Sequence, residues 1–273
     1  METKDILEEL SDMCRADAAE REKSVSMDEM IRRAAAAPAP RDFAAAFRGG
    51  GVNVIAELKR ASPSEGMIRE DFRPVELAKE LEAAGAAALS VLCEPHRFLG
   101  DEAYLRAVRE VVDLPLLYKD FVTTRYQVAA ARAAGADAVL LIAAVLDDDA
   151  LSDLLWFAHE VGLRALVETH DADEIRRAVD AGAGIVGVNC RNLRNFSTDV
   201  SLLEGLVGEI PRPCLRIAES GMHDAAAIGR ARAAGADGFL VGTALMRAPR
   251  PGAKLSEIAG NSIGAASWSF TIF

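Results

Sequence analysis

Two charged residues interrupt an apolar segment near residue 55, and their types and spacing suit acid–base chemistry. Residues 52–66 read V-N-V-I-A-E-L-K-R-A-S-P-S-E-G. In a β-strand, Glu57 and Lys59 point to the same face because successive side chains alternate. Buried charges are costly unless they are paired or used. We therefore predict a strand that carries an acid and a base into an interior; an edge strand with two solvated charges is the alternative.

Similar reactive side chains stand at the ends of other apolar runs. Most of the residues there carry ammonium, carboxylate, amide or hydroxyl groups, which move protons or hold anions. The sets are Lys119, Asp120 and Phe121; Glu168, Thr169 and His170; Asn189, Cys190, Arg191 and Leu193; Glu219, Ser220 and Gly221; and Gly242 and Thr243. A solvated rim also carries charges, but it does not place nearly every one at the last turn of an apolar run.

A repeat along the chain predicts the elements that position these residues. Ala-Gly-Ala occurs four times, with its glycine at Gly85, Gly135, Gly182 and Gly235, about 50 residues apart. Each copy follows a helical pattern and precedes an apolar run. Glycine suits that place because the residue just after a helix often needs a positive φ. Each repeat is then expected to hold two strand–helix units.

Eight strand candidates result, and they alternate with helical patterns. Their bounds are 53–59, 87–92, 114–119, 138–142, 163–168, 185–189, 214–219 and 238–241. Alternation implies a parallel sheet, and eight units imply an α/β fold of the (β/α)8 TIM-barrel type. An open doubly wound sheet is the structural alternative, but no GxGxxG sequence follows the first strand. In a barrel, the reactive residues above would share the mouth at the strands' carboxyl ends.

The last two strand ends predict a phosphate site. Ser220-Gly221 and Gly242-Thr243 follow strands seven and eight, where barrels commonly bind phosphate. Glycine lets backbone amides approach the oxygens. Thr243 is expected to cap a helix that begins at Ala244.

Three regions are predicted along the chain. Residues 1–48 form an N-terminal helical extension, in which S-M-D-E at 26–29 is typical of a capping box. This extension either covers the active site or only adds stability. Residues 49–259 form the barrel. Residues 260–273 form an uncharged tail that pads the barrel bottom, contacts a partner or is disordered.

The composition argues against some classes of partner and cofactor. The 273 residues carry a formal net charge of −11, which argues against a nucleic-acid partner but allows a small anionic substrate. The four cysteines and four histidines show no metal-ligand spacing, so we expect no metal. No segment has the length and apolarity of a membrane span, and no signal peptide is seen, so we expect a cytoplasmic protein without a membrane partner.

Several motifs together resemble one family, the indole-3-glycerol phosphate synthases. They are V-I-A-E-L-K-R-A-S-P-S-E-G (54–66), K-D-F (119–121), L-V-E-T-H (166–170), V-G-V-N-C-R-N-L (186–193), A-E-S-G-M (218–222) and V-G-T-A-L-M (241–246). The resemblance covers residues 5–259. Cys93, Gly100-Asp101 and Tyr118 depart from the family pattern, at positions expected near the substrate mouth.

The resemblance implies a reaction and a set of catalytic residues. The substrate would be 1-(2-carboxyphenylamino)-1-deoxyribulose 5-phosphate, which closes to indole-3-glycerol phosphate with loss of carbon dioxide and water. Lys119 would be the general acid of ring closure, its pKa lowered by Lys59 and by partial burial. Glu168 and Lys59 would share the acid and base roles of dehydration, in an order left open. The implied catalytic set is Glu57, Lys59, Lys119, Glu168, Asn189 and Ser220.

The same resemblance implies the binding residues. Ser62 would anchor the first loop, Phe121 and Leu193 would flank the anthranilate ring, and Arg191 and Glu219 would orient the substrate. The phosphate would lie against Ser220, Gly221, Gly242 and Thr243. No metal or organic cofactor is implied, and a monomer or weak homodimer is expected.

Three alternatives stay open. A paralogue of the same fold could serve a secondary-metabolite pathway. A phosphoribosylanthranilate isomerase would need a cysteine–aspartate pair at particular strand ends, and Cys93 does not follow strand one. A non-catalytic phosphate-binding barrel is the third, although buried charge would cost a scaffold stability.

Overall fold

The computed structural model describes residues 6–191 and 200–260. Eight parallel strands close into a barrel, in which each strand pairs with its sequence neighbours and the last pairs with the first. The strands are β1 (Val54–Leu58), β2 (Ala88–Leu92), β3 (Leu116–Lys119), β4 (Ala138–Ile142), β5 (Arg164–Thr169), β6 (Ile185–Asn189), β7 (Leu215–Glu219) and β8 (Gly238–Val241). The predicted TIM-barrel fold is confirmed.

Helices surround the barrel and extend it at the N-terminus. They are α1 (Ile6–Ser24), α2 (Met27–Ala36), α3 (Pro74–Ala83), α4 (Glu102–Arg109), α5 (Arg125–Ala133), α6 (Asp148–Glu160), α7 (Ala172–Asp180), α8 (Val200–Glu209), α9 (Ala225–Ala233), α10 (Thr243–Arg247) and α11 (Pro251–Ile258), with short 3₁₀ helices at Phe43–Phe47 and Ala143–Val145. A short antiparallel pair, Ala61–Ser62 with Gly66–Met67, follows β1. Among the described residues, no helix is long and apolar enough to cross a membrane.

Strand alternation sorts the apolar residues into two cores. Val54, Ala56 and Leu58 pack outward against the helices, whereas Ile55 packs inside the barrel. Phe43 and Phe47 of the 3₁₀ helix belong to the inner core. Because Glu57 has the same parity as Ile55, its carboxylate enters the barrel interior, and it is buried as the sequence predicted.

Glycines end the helices as the repeat predicted. Gly85, Gly135, Gly182 and Gly235 have φ of 89°, 92°, 89° and 103°. Each follows an alanine that ends its helix in the right-handed region. Positive φ at this place lets the chain turn directly into the next strand.

Acidic and hydroxyl side chains begin the helices. Asp101, Thr124, Asp147, Asp171 and Asp224 each accept a hydrogen bond from a backbone N–H in the first turn of the helix that follows. These caps stand at the top of the barrel and set the direction of each helix. None of them was predicted as a cap from the sequence.

The capping box before α2 is only half formed. Ser26 Oγ accepts from Glu29 N at 3.4 Å, as predicted. The Glu29 carboxylate turns instead to Arg32 and Arg33, at 2.8–3.0 Å. These ion pairs, with arginines one turn further along the helix, replace the expected hydrogen bond between the Glu29 carboxylate and the backbone N–H of Ser26.

Helix α1 packs against the barrel mouth. Leu7, Leu10 and Cys14 are buried and join the inner core. Its polar face forms ion pairs with the loop after β2: Asp17 with His96 at 2.7 Å and Glu9 with Arg97 at 2.9 Å. Hence α1 covers one side of the mouth. The tail from residue 261 lies outside the described residues, so its three predicted roles stay predictions.

Candidate active site

A cavity of about 530 Å³ opens at the carboxyl ends of the strands. Thirteen of the fourteen residues predicted from sequence line it: Glu57, Lys59, Ser62, Lys119, Phe121, Glu168, Asn189, Arg191, Glu219, Ser220, Gly221, Gly242 and Thr243. The fourteenth, Leu193, lies outside the described residues. Six different strands and the loops after them therefore supply a single site.

Glu57 and Lys59 form one ion pair in this cavity. Lys59 Nζ lies 2.8 Å from Glu57 Oε1, and both side chains are largely buried. Gly242 makes room for the pair, since a Cβ there would lie 2.4 Å from Glu57 Oε1 and 3.2 Å from Lys59 Nζ. Gly242 thus has a steric role toward this pair, besides any contact with a ligand.

Lys119 and Glu168 form a second pair across the barrel. Lys119 Nζ lies 3.4 Å from Glu168 Oε2. Asn189 Nδ2 donates to the other oxygen of Glu168 at 3.2 Å. Asn189 Oδ1 accepts from Ser220 Oγ at 2.7 Å and from Arg191 N at 3.0 Å. The amide of Asn189 is consequently held in one orientation, with its N–H₂ group toward the carboxylate.

The lysines and glutamates shift one another's protonation. Burial opposes the charge of Glu57, but Lys59 and Lys119 outweigh it and lower the pKa of Glu57. Burial also opposes the charge of Lys119, yet the carboxylates of Glu168 and Glu57 raise the pKa of Lys119 above its ordinary value. The expectation that the pKa of Lys119 is lowered was wrong, because the carboxylates of Glu168 and Glu57 outweigh burial and the charge of Lys59.

Glu168 and Glu219 take opposite protonation states. Glu168 faces Lys119, Asn189 and His170, whose charges and hydrogen bonds overcome burial and lower the pKa of Glu168. For Glu219, burial and the neighbouring charge of Glu168 raise the pKa well above the ordinary value. Its Oε1 has no hydrogen-bond partner among the described residues. The structure therefore presents one carboxylate and one neutral carboxyl group to the cavity.

A glycine in β6 admits the neutral carboxyl group. A Cβ at Gly187 would lie 2.1 Å from Glu219 Oε1. The register of the barrel pairs Gly187 with Glu168 and Asn189 with Glu219. The missing side chain at Gly187 leaves the space into which Glu219 extends.

The loop after β1 closes one side of the cavity. Arg191 Nη1 donates to Ser64 Oγ, and the Ser64 and Ser62 hydroxyls lie 3.4 Å apart. Arg69 Nη1 donates to the carbonyls of Met246 and Ala248 at 2.9 and 3.0 Å. These contacts join the first loop to the ends of β6 and α10.

The predicted phosphate residues adjoin each other at the ends of β7 and β8. Ser220 and Gly221 have φ of 62° and 69°, a left-handed turn that is strained for serine. The prediction that Thr243 caps the helix was wrong: Gly242 is the cap residue, Thr243 is the first residue of α10, and no side chain caps it. The helix begins one residue earlier because Gly242 O already accepts from Leu245 N and Met246 N, each at 3.0 Å.

The opposite side of the cavity is apolar. Phe98 and Phe121 face each other with ring centroids 6.3 Å apart. Leu7 and Leu10 of α1 also line this side. The N-terminal extension thereby contributes directly to the cavity, which favours the covering role over a purely stabilising one.

Two polar residues at the mouth, one buried and one partly buried, were given no role from sequence. Glu94 is fully buried and accepts from the backbone N–H groups of His96, Arg97 and Phe98 at 2.7–2.8 Å, so it shapes the loop after β2. His170 lies between Glu168 and Glu174. Its place in L-V-E-T-H, two residues after Glu168, was the available signal, but its side chain was not expected to fold back onto Glu168.

The residues that depart from the family pattern do not line the cavity. Cys93 and Tyr118 are buried in the outer core, and Tyr118 OH lies 3.3 Å from Asp120 Oδ2. Asp101 caps α4. Cys93 stands between Leu92 and Glu94, which line the cavity, so these positions are near the mouth but their own side chains do not reach the cavity. Within the described residues, no group of three or more His, Cys, Asp or Glu side chains could hold a metal ion.

The fold and the site define a (β/α)8-barrel enzyme with an acid–base centre. Solved structures with the same fold include 3-hexulose-6-phosphate synthase from Salmonella typhimurium (TM-score 0.62, 15% identity, covering 77% of this chain and 98% of that one). Another is thiamine phosphate pyrophosphorylase from Pyrococcus furiosus (TM-score 0.58, 17% identity, covering 77% and 94%). At these identities the likeness concerns the fold alone.

Sequence comparison identifies the family. The family model for indole-3-glycerol phosphate synthase matches residues 7–258. A protein named indole-3-glycerol phosphate synthase from Streptomyces griseus subsp. griseus is 48% identical over 256 residues, covering 93% of this chain and 94% of its own. One of the same name from Roseiflexus sp. is 47% identical, covering 89% and 94%. The chain belongs to the indole-3-glycerol phosphate synthase family.

Proposed function

We propose that this protein catalyses the reaction for which its family is named, in tryptophan biosynthesis. It closes 1-(2-carboxyphenylamino)-1-deoxyribulose 5-phosphate to indole-3-glycerol phosphate, with loss of carbon dioxide and water. The observation that carries the proposal is the presence of two lysine–glutamate pairs in one cavity, Lys59–Glu57 at 2.8 Å and Lys119–Glu168 at 3.4 Å. The reaction needs two proton donors and a base, which these pairs can supply.

Ring closure uses Lys119. The aromatic carbon that carries the carboxylate attacks the ketone carbon, and the ketone oxygen takes a proton from Lys119 to become a hydroxyl group. Carbon dioxide then leaves, and its bonding electrons restore the aromatic ring. The raised pKa of Lys119, due to the surrounding carboxylates, keeps the ammonium charged through the neutral range. Lys119 therefore carries the proton that it donates in ring closure.

Dehydration uses Lys59 and Glu168. The hydroxyl group departs as water with a proton from Lys59, and Glu168 removes the proton lost as the ring double bond forms. We assign the base role to Glu168 because Lys119 and Asn189 hold it as a carboxylate. A carboxylate with a lowered pKa is a poor proton donor near neutrality. Glu57 keeps Lys59 charged and in place.

The rest of the cavity suits the rest of the substrate. The Ser220–Gly221 turn and the Gly242–Thr243 segment would bind the phosphate through backbone N–H groups. Phe121 and the apolar residues of α1 would contact the anthranilate ring, and Arg191 would pair with its carboxylate before that group leaves. Glu219, as a neutral carboxyl group, would donate a hydrogen bond to a sugar hydroxyl.

No metal or organic cofactor enters these steps. The proposed partner is the phosphorylated small-molecule substrate alone. We propose that the protein acts in the cytoplasm as a monomer or weak homodimer. The alternative of a specialised paralogue gains no support, since Cys93, Asp101 and Tyr118 lie outside the cavity lining.

The proposal is tested by turnover of the substrate. Purified protein, from a host that lacks its own enzyme, is incubated with the carboxyphenylamino deoxyribulose phosphate while indole fluorescence is recorded. We expect fluorescence to rise with the wild type and to rise at least about 100-fold more slowly with Lys119→Met, which removes the ring-closure acid. Absence of signal from folded wild-type protein would overturn the proposal.

A further inference from the structure

His170 has a fixed place between two glutamates at the end of β5. Its Nδ1 lies 3.0 Å from Glu174 Oε2, and its Nε2 lies 3.5 Å from Glu168 Oε1. The distance from Nε2 to Glu168 Oε1 is that of an ion pair, but the geometry is not that of a hydrogen bond. Within the described ranges, Nε2 has no hydrogen-bond partner. The imidazole thus bridges a residue of helix α7 and the base of the proposed reaction.

Helix α7 holds Glu174 rigidly. Glu174 N donates to the cap residue Asp171 at 2.8 Å. The Glu174 carboxylate in turn accepts from the backbone N–H of His170 at 2.8 Å as well as from its ring. This arrangement resembles a capping box extended by one residue. The start of the helix therefore sets the orientation of the His170 ring.

The two neighbours determine the charge of the ring. A carboxylate only accepts hydrogen bonds, so His170 Nδ1 carries a proton toward Glu174. If Nε2 had no proton, its lone pair would face the carboxylate of Glu168, which is repulsive. Both nitrogens are consequently protonated. Burial disfavours this charge, but the adjacent carboxylate of Glu168 and the hydrogen-bonded carboxylate of Glu174 raise the pKa of His170 to about 10.

We propose that His170 is a positioning residue for the reaction: its imidazolium, oriented by Glu174, holds the Glu168 carboxylate against Lys119 and Asn189. The charged groups that face the ring are Glu168 from β5 and Glu174 from α7, while Lys119 from β3 and the neutral Glu219 from β7 act on Glu168. Without the imidazolium, Glu168 loses one of its two neighbouring cations and keeps only Lys119. The role in catalysis rests on the proposed function; the charged state of the ring does not.

Kinetics of His170→Ala test the positioning role. We expect kcat to fall about 10-fold with KM within about 3-fold, because an incorrectly oriented base is a poor base while substrate binding is unchanged. The acidic limb of the kcat/KM profile should move to higher pH, since Glu168 becomes easier to protonate. His170→Gln, whose amide can donate to Glu168, should recover part of kcat. His159→Ala is the matched control: His159 is exposed on α6 and should leave both kcat and the acidic limb unchanged.

Two kinetic results would overturn the proposal. One is wild-type kcat with an unchanged acidic limb in His170→Ala. The other is a lower kcat with an unchanged limb in a folded variant, which is what a purely structural role produces.

NMR of the wild-type protein gives a test that does not depend on activity. With ring-labelled histidine, only four imidazoles contribute signals, and His170→Gln assigns the one at 170. We expect the His170 ring to remain an imidazolium through pH 8. A ring that titrates near pH 6.5 would overturn the proposal. An imidazolium at 170 in a protein without turnover would mean that the proposed function, and not the structural assignment, has failed.

Discussion

Glu168 and Glu219 face the same cavity, yet their surroundings give them different chemistry. Glu168 contacts Lys119, Asn189 and His170, so its charge is stabilised from three directions. Glu219 extends into the space above Gly187, and its Oε1 finds no hydrogen-bond partner in the part of the chain that the structure describes. A pair of carboxyl groups with separated pKa values can perform different tasks at one pH. The two carboxyl groups therefore suit the base and the hydrogen-bond donor of the proposed reaction, respectively.

This difference predicts unequal effects of the same substitution. Glu168→Gln removes the ionised base, and we expect kcat to fall at least about 100-fold. Glu219→Gln replaces a neutral carboxyl group by a neutral amide of the same shape, and we expect kcat to fall no more than about 10-fold. Steady-state kinetics of both variants, with unfolding curves to verify stability, measure the contrast. Equal losses in kcat would contradict the assigned protonation states.

At the scale of elements, four strand–helix units, those of α5, α6, α7 and α9, combine a start signal and a stop signal. The start is a side-chain cap such as Asp171, and the stop is a glycine such as Gly182 with positive φ. The glycine ends the helix at a fixed residue, after which the chain turns into the next strand of the barrel. Since the proposed catalytic groups stand at strand ends, an error in helix length would alter strand register and move them.

The stop signal at Gly182 can be tested separately from packing. Gly182 has a φ of 89°, and a Cβ added there would meet no atom within 4 Å; Gly184 has equally open space without the left-handed φ. We expect Gly182→Ala to lower the free energy of unfolding by roughly 1 kcal/mol, because alanine is strained at positive φ. Gly184→Ala is the control and should be neutral or slightly stabilising. Urea unfolding measures both; equal midpoints would contradict the assignment.

At the scale of the whole molecule, a buried polar cluster joins the N-terminal extension to the barrel. Asp120 follows Lys119 at the end of β3 and accepts from Cys14 Sγ of α1 at 3.3 Å. Its other contacts are Phe121 N at 2.8 Å and Tyr118 OH at 3.3 Å. Burial outweighs these hydrogen bonds and raises the pKa of Asp120 to about 6. The helix that covers the cavity is therefore attached beside the proposed general acid.

The raised pKa predicts a pH dependence of stability with a definite sign. The folded state binds the Asp120 proton more tightly than the unfolded state, so this contribution is present below about pH 3.8 and is lost as pH rises through about 6. The shift corresponds to roughly 3 kcal/mol. We expect the unfolding free energy of Asp120→Asn, relative to the wild type, to increase between pH 4 and pH 7.

Urea unfolding across this pH range measures the effect. Cys14→Ser serves as the companion variant, because a hydroxyl donates more strongly than a thiol and should lower the pKa of Asp120, moving the transition to lower pH. A difference between wild type and Asp120→Asn that stays constant from pH 4 to pH 7 would exclude Asp120 as the titrating group.

Local patterns in the sequence were enough to predict the barrel and most of the site. Alternation placed Glu57 and Lys59 on one face, repeated glycines marked helix ends, and parallel strands bring their carboxyl ends to one mouth. These features depend on near neighbours in the chain, so a single sequence contains them. The helix start at Thr243 and the half-formed capping box were misjudged because several competing hydrogen bonds are available within one turn.

Only the tertiary structure decided which groups meet and with what charge. The raised pKa of Lys119, the opposite states of Glu168 and Glu219, and the bridging position of His170 all arise from contacts between residues of different strands and helices. The outward direction of Cys93 and Tyr118 likewise became evident only from packing. Sequence determines which reactive groups are present and on which face of a strand; the closed barrel determines their partners, and electrostatic energy depends on partners and burial.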